Sequence, residues 1–152
     1  MNKRLRALQL QQMEDVLGTW RAANLPARPS TGWSRAIRET LGMPATALAA
    51  RVGMSSAGIR KLETAEAQQV ISLTSLRKLA EALDCELQYA LVPREPLETR
   101  LKRRAFKAAE ERMRPVSHSM SLEDQSVTDT GRKVQLELLA KELLDGSWRA
   151  LW

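Results

Sequence analysis

The sequence ATALAARVGMSSAGIRKLE occupies residues 45–63 and predicts two short helices that cross at a tight turn. Leu48 and Val52 lie four residues apart, so they share one face of the first helix. Ala49 fits the point where the second helix passes over the first, because a larger side chain has no room there. Gly53 falls at the turn, where the backbone needs a positive φ that a Cβ disfavours.

The second helix of this pair has an inward and an outward face. Ser55 is suited to cap its first turn, and Ile59 and Leu62 provide its inward stripe. The residues left facing outward are Ser56, Ala57, Arg60 and Lys61. A helix presented in this way is the element that enters the DNA major groove. An ordinary helical hairpin with a glycine turn is the alternative, but the small, turn and apolar residues occurring together favour a helix–turn–helix.

Composition limits the classes of protein to which the chain can belong. Its 152 residues are 43% hydrophobic and 4% aromatic, with no apolar run of 18 residues and no export signal, so we expect a cytoplasmic protein with no membrane segment. The lone Cys85 forms no internal disulfide, and one cysteine with one histidine, His118, excludes a His/Cys metal cluster. Without a nucleophile–histidine pair or a glycine-rich phosphate loop, we expect no cofactor and no enzymatic activity.

The net charge of +6 favours a polyanionic partner, but the charge is unevenly distributed. It is +3 over residues 1–31, +1 over 32–92, +4 over 93–114 and −2 over 115–152. The segment that contains the two-helix pattern is therefore not strongly basic. Either the flanks supply phosphate contacts, or they bind something else.

Hydrophobic periodicity predicts the elements that precede the two-helix pattern. Residues 3–22 form an amphipathic helix in this prediction, with one face that carries Leu5, Leu8, Val16, Leu17 and Trp20. Two prolines make residues 25–30 a linker. A second helix begins near Gly32, places Trp33, Ile37 and Leu41 inward, and stops at Gly42, with Pro44 at the start of the next helix.

The same reasoning covers the residues that follow. We predict a polar loop at 64–72, a helix at 73–83 with Leu76, Leu79, Ala80 and Leu83 buried, and a strand at 85–92. The strand is indicated by the alternation of Leu87, Tyr89 and Leu91 with less apolar residues, and Pro93 ends it.

The last third of the chain predicts two further helices. The basic helix at 98–114 could lie along a DNA backbone, dock on an acidic protein, or pack with a solvated charged face; its apolar side carries Leu97, Leu101, Ala105 and Ala108. The helix at 134–146 is amphipathic and ends at Gly146. Its apolar face and the tail containing Trp148, Leu151 and Trp152 either pack on the N-terminal helix or form a partner or dimer interface.

Residues 32–83 resemble the XRE (Cro/C1-type) helix–turn–helix family. Over a wider span, GWSRAIRETLGM, KLETAEAQQVISLTSLRKLAEALDCELQYALVP and VSHSMSLEDQSV resemble the bacterial family called mobile mystery protein A. The first resemblance implies a lambda-repressor-like bundle that binds palindromic double-stranded DNA as a dimer. The second implies a neighbouring gene for a Fic-domain protein, in an arrangement similar to a toxin–antitoxin pair.

The resemblance to Cro/C1-type proteins also implies roles for individual residues. Ser56, Ala57, Arg60 and Lys61, which follow the capping Ser55, would contact bases, with Arg60 suited to guanine O6 and N7 and Ala57 to a thymine methyl group. Gly58 departs from the polar residues frequent in the family and costs about 1 kcal/mol in a helix interior. Phosphate contacts are expected from Thr46, Gln68 and Gln69. Alternatively, Arg60 and Lys61 form a solvated face that pairs with Glu63 or Glu66.

Residues 119–123 carry a second hypothesis. Antitoxins of Fic proteins can contain a helix in which a serine is followed four residues later by an inhibitory glutamate, and Ser119 and Glu123 have this spacing. Asp124 replaces the glycine or asparagine expected next. A helix cap with a glutamate in the first turn explains the same residues.

We therefore predict a mostly α fold, with an XRE-type helix–turn–helix bundle, a short β-strand after it, and helical extensions at both ends. The expected divisions are residues 1–31, 32–92 and 93–152. The predicted function is a sequence-specific transcriptional regulator, an autorepressor of a Fic toxin–antitoxin type operon, acting as a homodimer or hetero-complex. The alternative is a direct protein inhibitor of a Fic-domain AMP-transferase.

Overall fold

The computed structural model describes residues 2–122 and 129–152, with side chains given for residues 2–115 and 129–152. Over these residues the chain forms seven α-helices and a single 3₁₀ turn: α1 Lys3–Ala23, α2 Trp33–Thr40, α3 Ala45–Val52, α4 Ser56–Ala67, α5 Leu73–Ala82, α6 Leu97–Leu122, α7 Asp129–Asp145 and the turn Trp148–Leu151. None of the described helices is both long and apolar enough to cross a membrane.

The chain divides into two compact units. The central unit comprises residues 25–90 and contains α2 to α5. The terminal unit comprises residues 1–24 and 91–152, so the N-terminal helix α1 belongs with α6, α7 and the 3₁₀ turn.

The core of the central unit is built by the two-helix pattern and α5. Leu48, Ile59 and Leu79 are fully buried, and Ala49 is 3% exposed within the same cluster. Leu83 completes the cluster just after α5. The burial predicted for these residues is confirmed, because each sits at a helical spacing that faces the neighbouring helices.

The strand predicted at residues 85–92 is wrong, since the described residues contain no β-strand. A strand is defined by a hydrogen-bonded neighbour, and the described part of the chain offers none to this segment. The alternating apolar side chains also find no surface to cover: Tyr89 is 63% and Leu91 89% exposed.

The face of α2 that turns inward differs from the prediction. Trp33 and Leu41 were expected in the core, but they are 47% and 62% exposed, while Ile37 packs against the core as predicted. Ser34 and Arg38 are buried instead. Polar side chains face inward here because α4 presents two buried carboxylates to them.

The first of these carboxylates belongs to Glu66 and caps the N-terminus of α2. It accepts the backbone N–H of Trp33 at 2.6 Å and that of Ser34 at 3.1 Å, together with the Ser34 hydroxyl. Helix α2 has no side-chain cap of its own, because its N-cap residue is Gly32. The predicted loop at 64–72 is accordingly too long: α4 continues to Ala67, which places Glu66 within the helix.

The second carboxylate belongs to Glu63, which forms a bidentate pair with Arg38. The two bonds measure 2.6 Å from Nε and 3.0 Å from Nη2, and Nη1 also donates to the Met43 carbonyl oxygen at 2.9 Å. The hydrogen bond to Glu63 raises the pKa of Arg38 above its ordinary value. All three donor nitrogen atoms of the guanidinium therefore have partners, as a buried charge requires.

The core of the terminal unit is formed mainly where α6 packs against α7. Ala105, Ala109, Ala140 and Leu151 are all at most 1% exposed. The small alanines allow the two helix backbones to approach closely. The predicted apolar face of α7 is confirmed, and Leu151 of the tail fills the core, whereas Trp148 is half-buried and Trp152 is exposed.

Helix α1 joins this core through a face that the sequence analysis did not predict. Leu10 packs against the cluster of α6 and α7, whereas Leu5, Leu8 and Val16 are about half exposed or more. Glu14, on the inner face, accepts the backbone N–H of Leu97 at 2.8 Å and pairs with Arg21. It thereby caps the N-terminus of α6.

We predict that Gly32→Ala destabilises α2 more than Gly42→Ala does. Both glycines have positive φ, of 85° and 63°, and they lie at opposite ends of α2. A Cβ at Gly32 would lie 2.8 Å from Cδ of Glu66, whereas one at Gly42 meets nothing within 4 Å. Gly42→Ala should therefore cost about 1–2 kcal/mol from backbone strain alone, and Gly32→Ala a further ~1–3 kcal/mol from overpacking. Hydrogen exchange of the α2 amides measures the loss of stability in both variants. Equal losses would show that the close approach of a Cβ at position 32 to Glu66 costs no free energy.

We also predict that Glu14 contributes to the acid sensitivity of the terminal unit. The Leu97 N–H and then Arg21 hold the pKa of Glu14 below its ordinary value of 4.5. A lowered folded pKa gives stability that is present above 4.5 and is lost as the pH falls through the folded value. Glu14→Gln should flatten this acid limb in urea titrations followed by the α6 amide NMR signals. Some dependence of stability on pH should remain because of Asp145, whose pKa is also lowered, by Lys3. The control is Glu110→Gln, at an exposed residue of α6.

Candidate nucleic-acid interface

The turn between α3 and α4 has the geometry that the sequence predicted. Gly53 adopts φ 78°, and its N–H donates to the Ala49 carbonyl oxygen at 2.9 Å. The N–H of Met54 donates to the same oxygen at 3.0 Å. These bonds end α3 at a left-handed residue, and only three residues separate the end of α3 from the start of α4.

Ser55 caps α4, as predicted: its Oγ accepts the N–H of Gly58 at 3.1 Å. Gly58 is therefore the third residue of the helix and not an interior one. The cost of about 1 kcal/mol expected for an interior glycine is reduced, since this N–H has no partner within the helix in any case. The tip of α4 consists of small residues only, from Ser55 to Gly58.

One face of α4 is exposed along its whole length. Ala57, Arg60, Lys61, Thr64 and Gln68 follow one another at helical spacing, and all five are exposed. Thr64 was not predicted, although its position four residues after Arg60 was a usable signal; its hydroxyl donates to the Arg60 carbonyl oxygen at 2.9 Å. Ser56 lies half-buried at the start of the helix.

The side chains of Arg60 and Lys61 are available to a ligand. Among the described residues neither makes an ion pair, and Glu63 and Glu66 are 4% and 5% exposed on the opposite face. The alternative in which Arg60 and Lys61 pair with Glu63 or Glu66 is therefore wrong. The two acids are already engaged by Arg38 and by the N-terminus of α2.

This arrangement also explains the modest charge counted over residues 32–92. Two of its six acidic residues, Glu63 and Glu66, are buried, and a third, Glu39, pairs with Arg35. The hydrogen bond from Arg35 lowers the pKa of Glu39. Because Glu63 and Glu39 pair with Arg38 and Arg35 of the same segment, only the burial of Glu66 changes the balance, and the net charge left on the surface of residues 32–92 is +2 instead of +1.

The residues expected to contact phosphate are exposed at helix ends. Thr46 is the second residue of α3, and Gln68 and Gln69 follow the last residue of α4. Gln69 has φ 62°, and the N–H of Val70 donates to the Ala65 carbonyl oxygen at 2.9 Å, which closes the helix. The Oγ of Ser55 already accepts the N–H of Gly58, so the first role of this hydroxyl is to cap α4.

Arg28 is a residue that the sequence analysis missed. Its Nη2 donates to the carbonyl oxygen of Ala67 at 2.9 Å, and Nη1 donates to that of Pro29 at 3.2 Å. A cation at the carbonyl end of α4 also interacts favourably with the helix dipole. The linker is thereby attached to the end of α4.

Much of the charge of the basic helix is engaged within the terminal unit. Lys102 pairs with Glu98 at 2.7 Å, Arg103 with Glu95 at 2.5 Å, and Arg104 approaches Glu111 at 3.6 Å. Arg100 lies 5.9 Å from the ring centroid of Trp152. These contacts favour the interpretation of α6 as a packed helix with a solvated charged face.

The central unit is similar to a known family of proteins. Residues 35–89 match the helix-turn-helix family HTH_3. The match lies inside the central unit, so residues 35–89 form an XRE-type helix-turn-helix domain, which supports a DNA-binding regulator. No curated protein and no solved structure matches the chain.

The family match does not extend to the remaining predictions. The relation to mobile mystery protein A and the Fic-domain partner stay predictions of the resemblance. Ser119 and Glu123, on which the inhibitor hypothesis depends, lie outside the residues whose side chains the structure describes.

We predict that Ser55→Ala and Ser72→Ala are equally destabilising but differ in their effect on DNA binding. Each serine Oγ accepts a backbone N–H at 3.1 Å at the start of a helix, α4 or α5. Each substitution should cost about 1 kcal/mol of stability. Only Ser55→Ala frays the turn that leads into Arg60, so only that variant should weaken DNA binding in fluorescence anisotropy. Equal affinities of the two variants would contradict a role for the start of α4.

Proposed function

We propose that this protein is a sequence-specific transcriptional regulator that represses its own operon by inserting α4 into the major groove of a palindromic operator. The observation that carries the proposal is that Arg60 and Lys61 are exposed and make no ion pair with any residue that the structure describes, on a helix whose opposite face is fixed by buried ionic contacts. A helix that is held firmly and presents two free cations outward is suited to read base edges.

The chemistry of the exposed face assigns a role to each side chain. Arg60 can donate two parallel hydrogen bonds to guanine O6 and N7, which is worth about 1–3 kcal/mol of discrimination. Lys61 reaches a base or a phosphate from the adjacent position. Ala57 presents a methyl group that suits the methyl group of thymine.

Phosphate contacts position the domain in this proposal. The amides at the start of α3, with Thr46 beside them, point outward as donors because the first turn of a helix leaves its N–H groups unpaired. Gln68 and Gln69 extend the contact at the other end of α4. These groups fix the register and carry no sequence information themselves.

The decisive experiment compares two pairs of adjacent cations. Fluorescence anisotropy is measured on duplex DNA from immediately upstream of the gene and on a scrambled duplex of equal composition, across a salt series. The double variant Arg60→Ala/Lys61→Ala should lose the preference for the upstream duplex, by about tenfold or more.

The matched control is Arg77→Ala/Lys78→Ala, which removes the same charge from exposed positions on α5. It should affect both duplexes alike, because non-specific attraction depends on charge and not on base readout. Full discrimination retained by the Arg60/Lys61 variant would refute the assignment of α4. Equal binding of both duplexes by the unmodified protein would refute sequence-specific regulation at this site.

A further inference from the structure

Helix α1 turns several charged side chains, together with Leu10, toward the terminal unit and leaves four large apolar side chains exposed. On the inner face Lys3 pairs with Asp145 at 2.5 Å, Arg6 lies 5.0 Å from the ring centroid of Trp148, and Glu14 binds Arg21 and the Leu97 N–H. Three of the contacts that fix α1 in the terminal unit are therefore made by charged groups, since the Glu14–Arg21 pair lies within α1 itself. They act beside the apolar contact of Leu10 with the core of α6 and α7.

The outer face forms an apolar stripe, which we define as Leu5, Leu8, Met13 and Val16. These side chains are 47%, 51%, 52% and 59% exposed. At 100° per residue they fall within one arc of about 140° along the helix. An exposed stripe of this kind on an otherwise charged protein marks an interaction surface.

The residues of the stripe come level in pairs when the helix is reversed about its midpoint. The residues on the outer face read Leu5, Leu8, Gln9, Gln12, Met13 and Val16. When the helix is laid antiparallel on a copy of itself with the two-fold axis between residues 10 and 11, Leu5 faces Val16, whereas Leu8 and Met13 come level but lie on opposite edges of the stripe. Gln9 then faces Gln12, so amide groups that can bond each other meet at the centre.

The charges beside the stripe have the same symmetry. Arg4 and Asp15 are exposed, lie on the same side of the stripe, and make no ion pair or side-chain hydrogen bond within the described residues. In the antiparallel arrangement Arg4 of one copy comes level with Asp15 of the other, within about 3 Å along the axis. The charges of α1 that are free are thus the two that a second copy would satisfy.

We propose that the apolar stripe of α1 is a self-association surface that pairs antiparallel with α1 of a second copy of this chain. The occupant is a second copy because, under one two-fold axis, Leu5 meets Val16 at the centre and the exposed charges Arg4 and Asp15 come level on the same side. This surface goes beyond the proposed function and does not depend on it. A dimer formed through this surface would contain two helix-turn-helix domains.

The test is sedimentation of the full chain without DNA, from low to high micromolar concentration at low salt. The protein should associate reversibly from 17.1 kDa toward twice that mass. Leu8→Glu/Met13→Glu should abolish association, because it places charges in the apolar contact. Leu138→Glu, at a residue of α7 that is 63% exposed in the same unit, should leave association unchanged.

A charge-swap mixture shows whether the contact is between copies and antiparallel. Arg4→Glu alone and Asp15→Arg alone should each weaken self-association, since like charges then face each other twice. An equimolar mixture of the two should associate about threefold to thirtyfold more tightly than either alone, because every facing pair becomes opposite in sign. The effect should decrease with added salt.

Three results would overturn the proposal. One is a protein that stays monomeric at every concentration. The others are association that survives Leu8→Glu/Met13→Glu and a charge-swap mixture no tighter than its components, either of which would place the contact elsewhere, such as at the exposed Leu91. Because no DNA is present, these results leave the DNA-binding proposal standing or falling on its own experiment.

Discussion

The central unit depends on two buried carboxylates on one helix. Glu63 and Glu66 lie three residues apart on α4, and both reach α2, one to Arg38 and one to the free N–H groups at the start of that helix. Buried charges are tolerated only when their partners are complete, so breaking such a pair costs about 3–5 kcal/mol. The apolar core brings α3, α4 and α5 together, but these directed bonds fix the rotation of α4 about its axis, and hence which of its side chains face outward.

The terminal unit uses the same device. Glu14 on α1 accepts the first N–H of α6, as Glu66 on α4 accepts the first N–H groups of α2. In each case a carboxylate from a different helix provides the cap, so two elements are joined by satisfying a terminus that neither could satisfy alone. Such a cap fails when either helix moves, which ties the stability of each helix to its neighbour.

The sequence predicted what depends on short spacing and missed what depends on distant partners. The turn at Gly53, the cap at Ser55 and the burial of Leu48 and Ile59 were all predicted, because each follows from residues within one or two helical turns. The inward face of α2 was not, since only the distant Glu63 and Glu66 make Ser34 and Arg38 better inward residues than Trp33 and Leu41. The strand at 85–92 failed for a related reason: alternation indicates a surface to cover, and the described fold provides none.

The small residues at the tip of α4 have a consequence for how much sequence one domain can distinguish. From Ser55 to Gly58 no side chain is longer than a hydroxymethyl group, so the tip offers close approach of the backbone but few groups that tell one base pair from another. In the proposed mode of binding, discrimination rests on Arg60 and Lys61, two neighbouring cations one turn further along. A half-site that is read in this way distinguishes few base pairs, so a site that is unique in a genome would require two such half-sites.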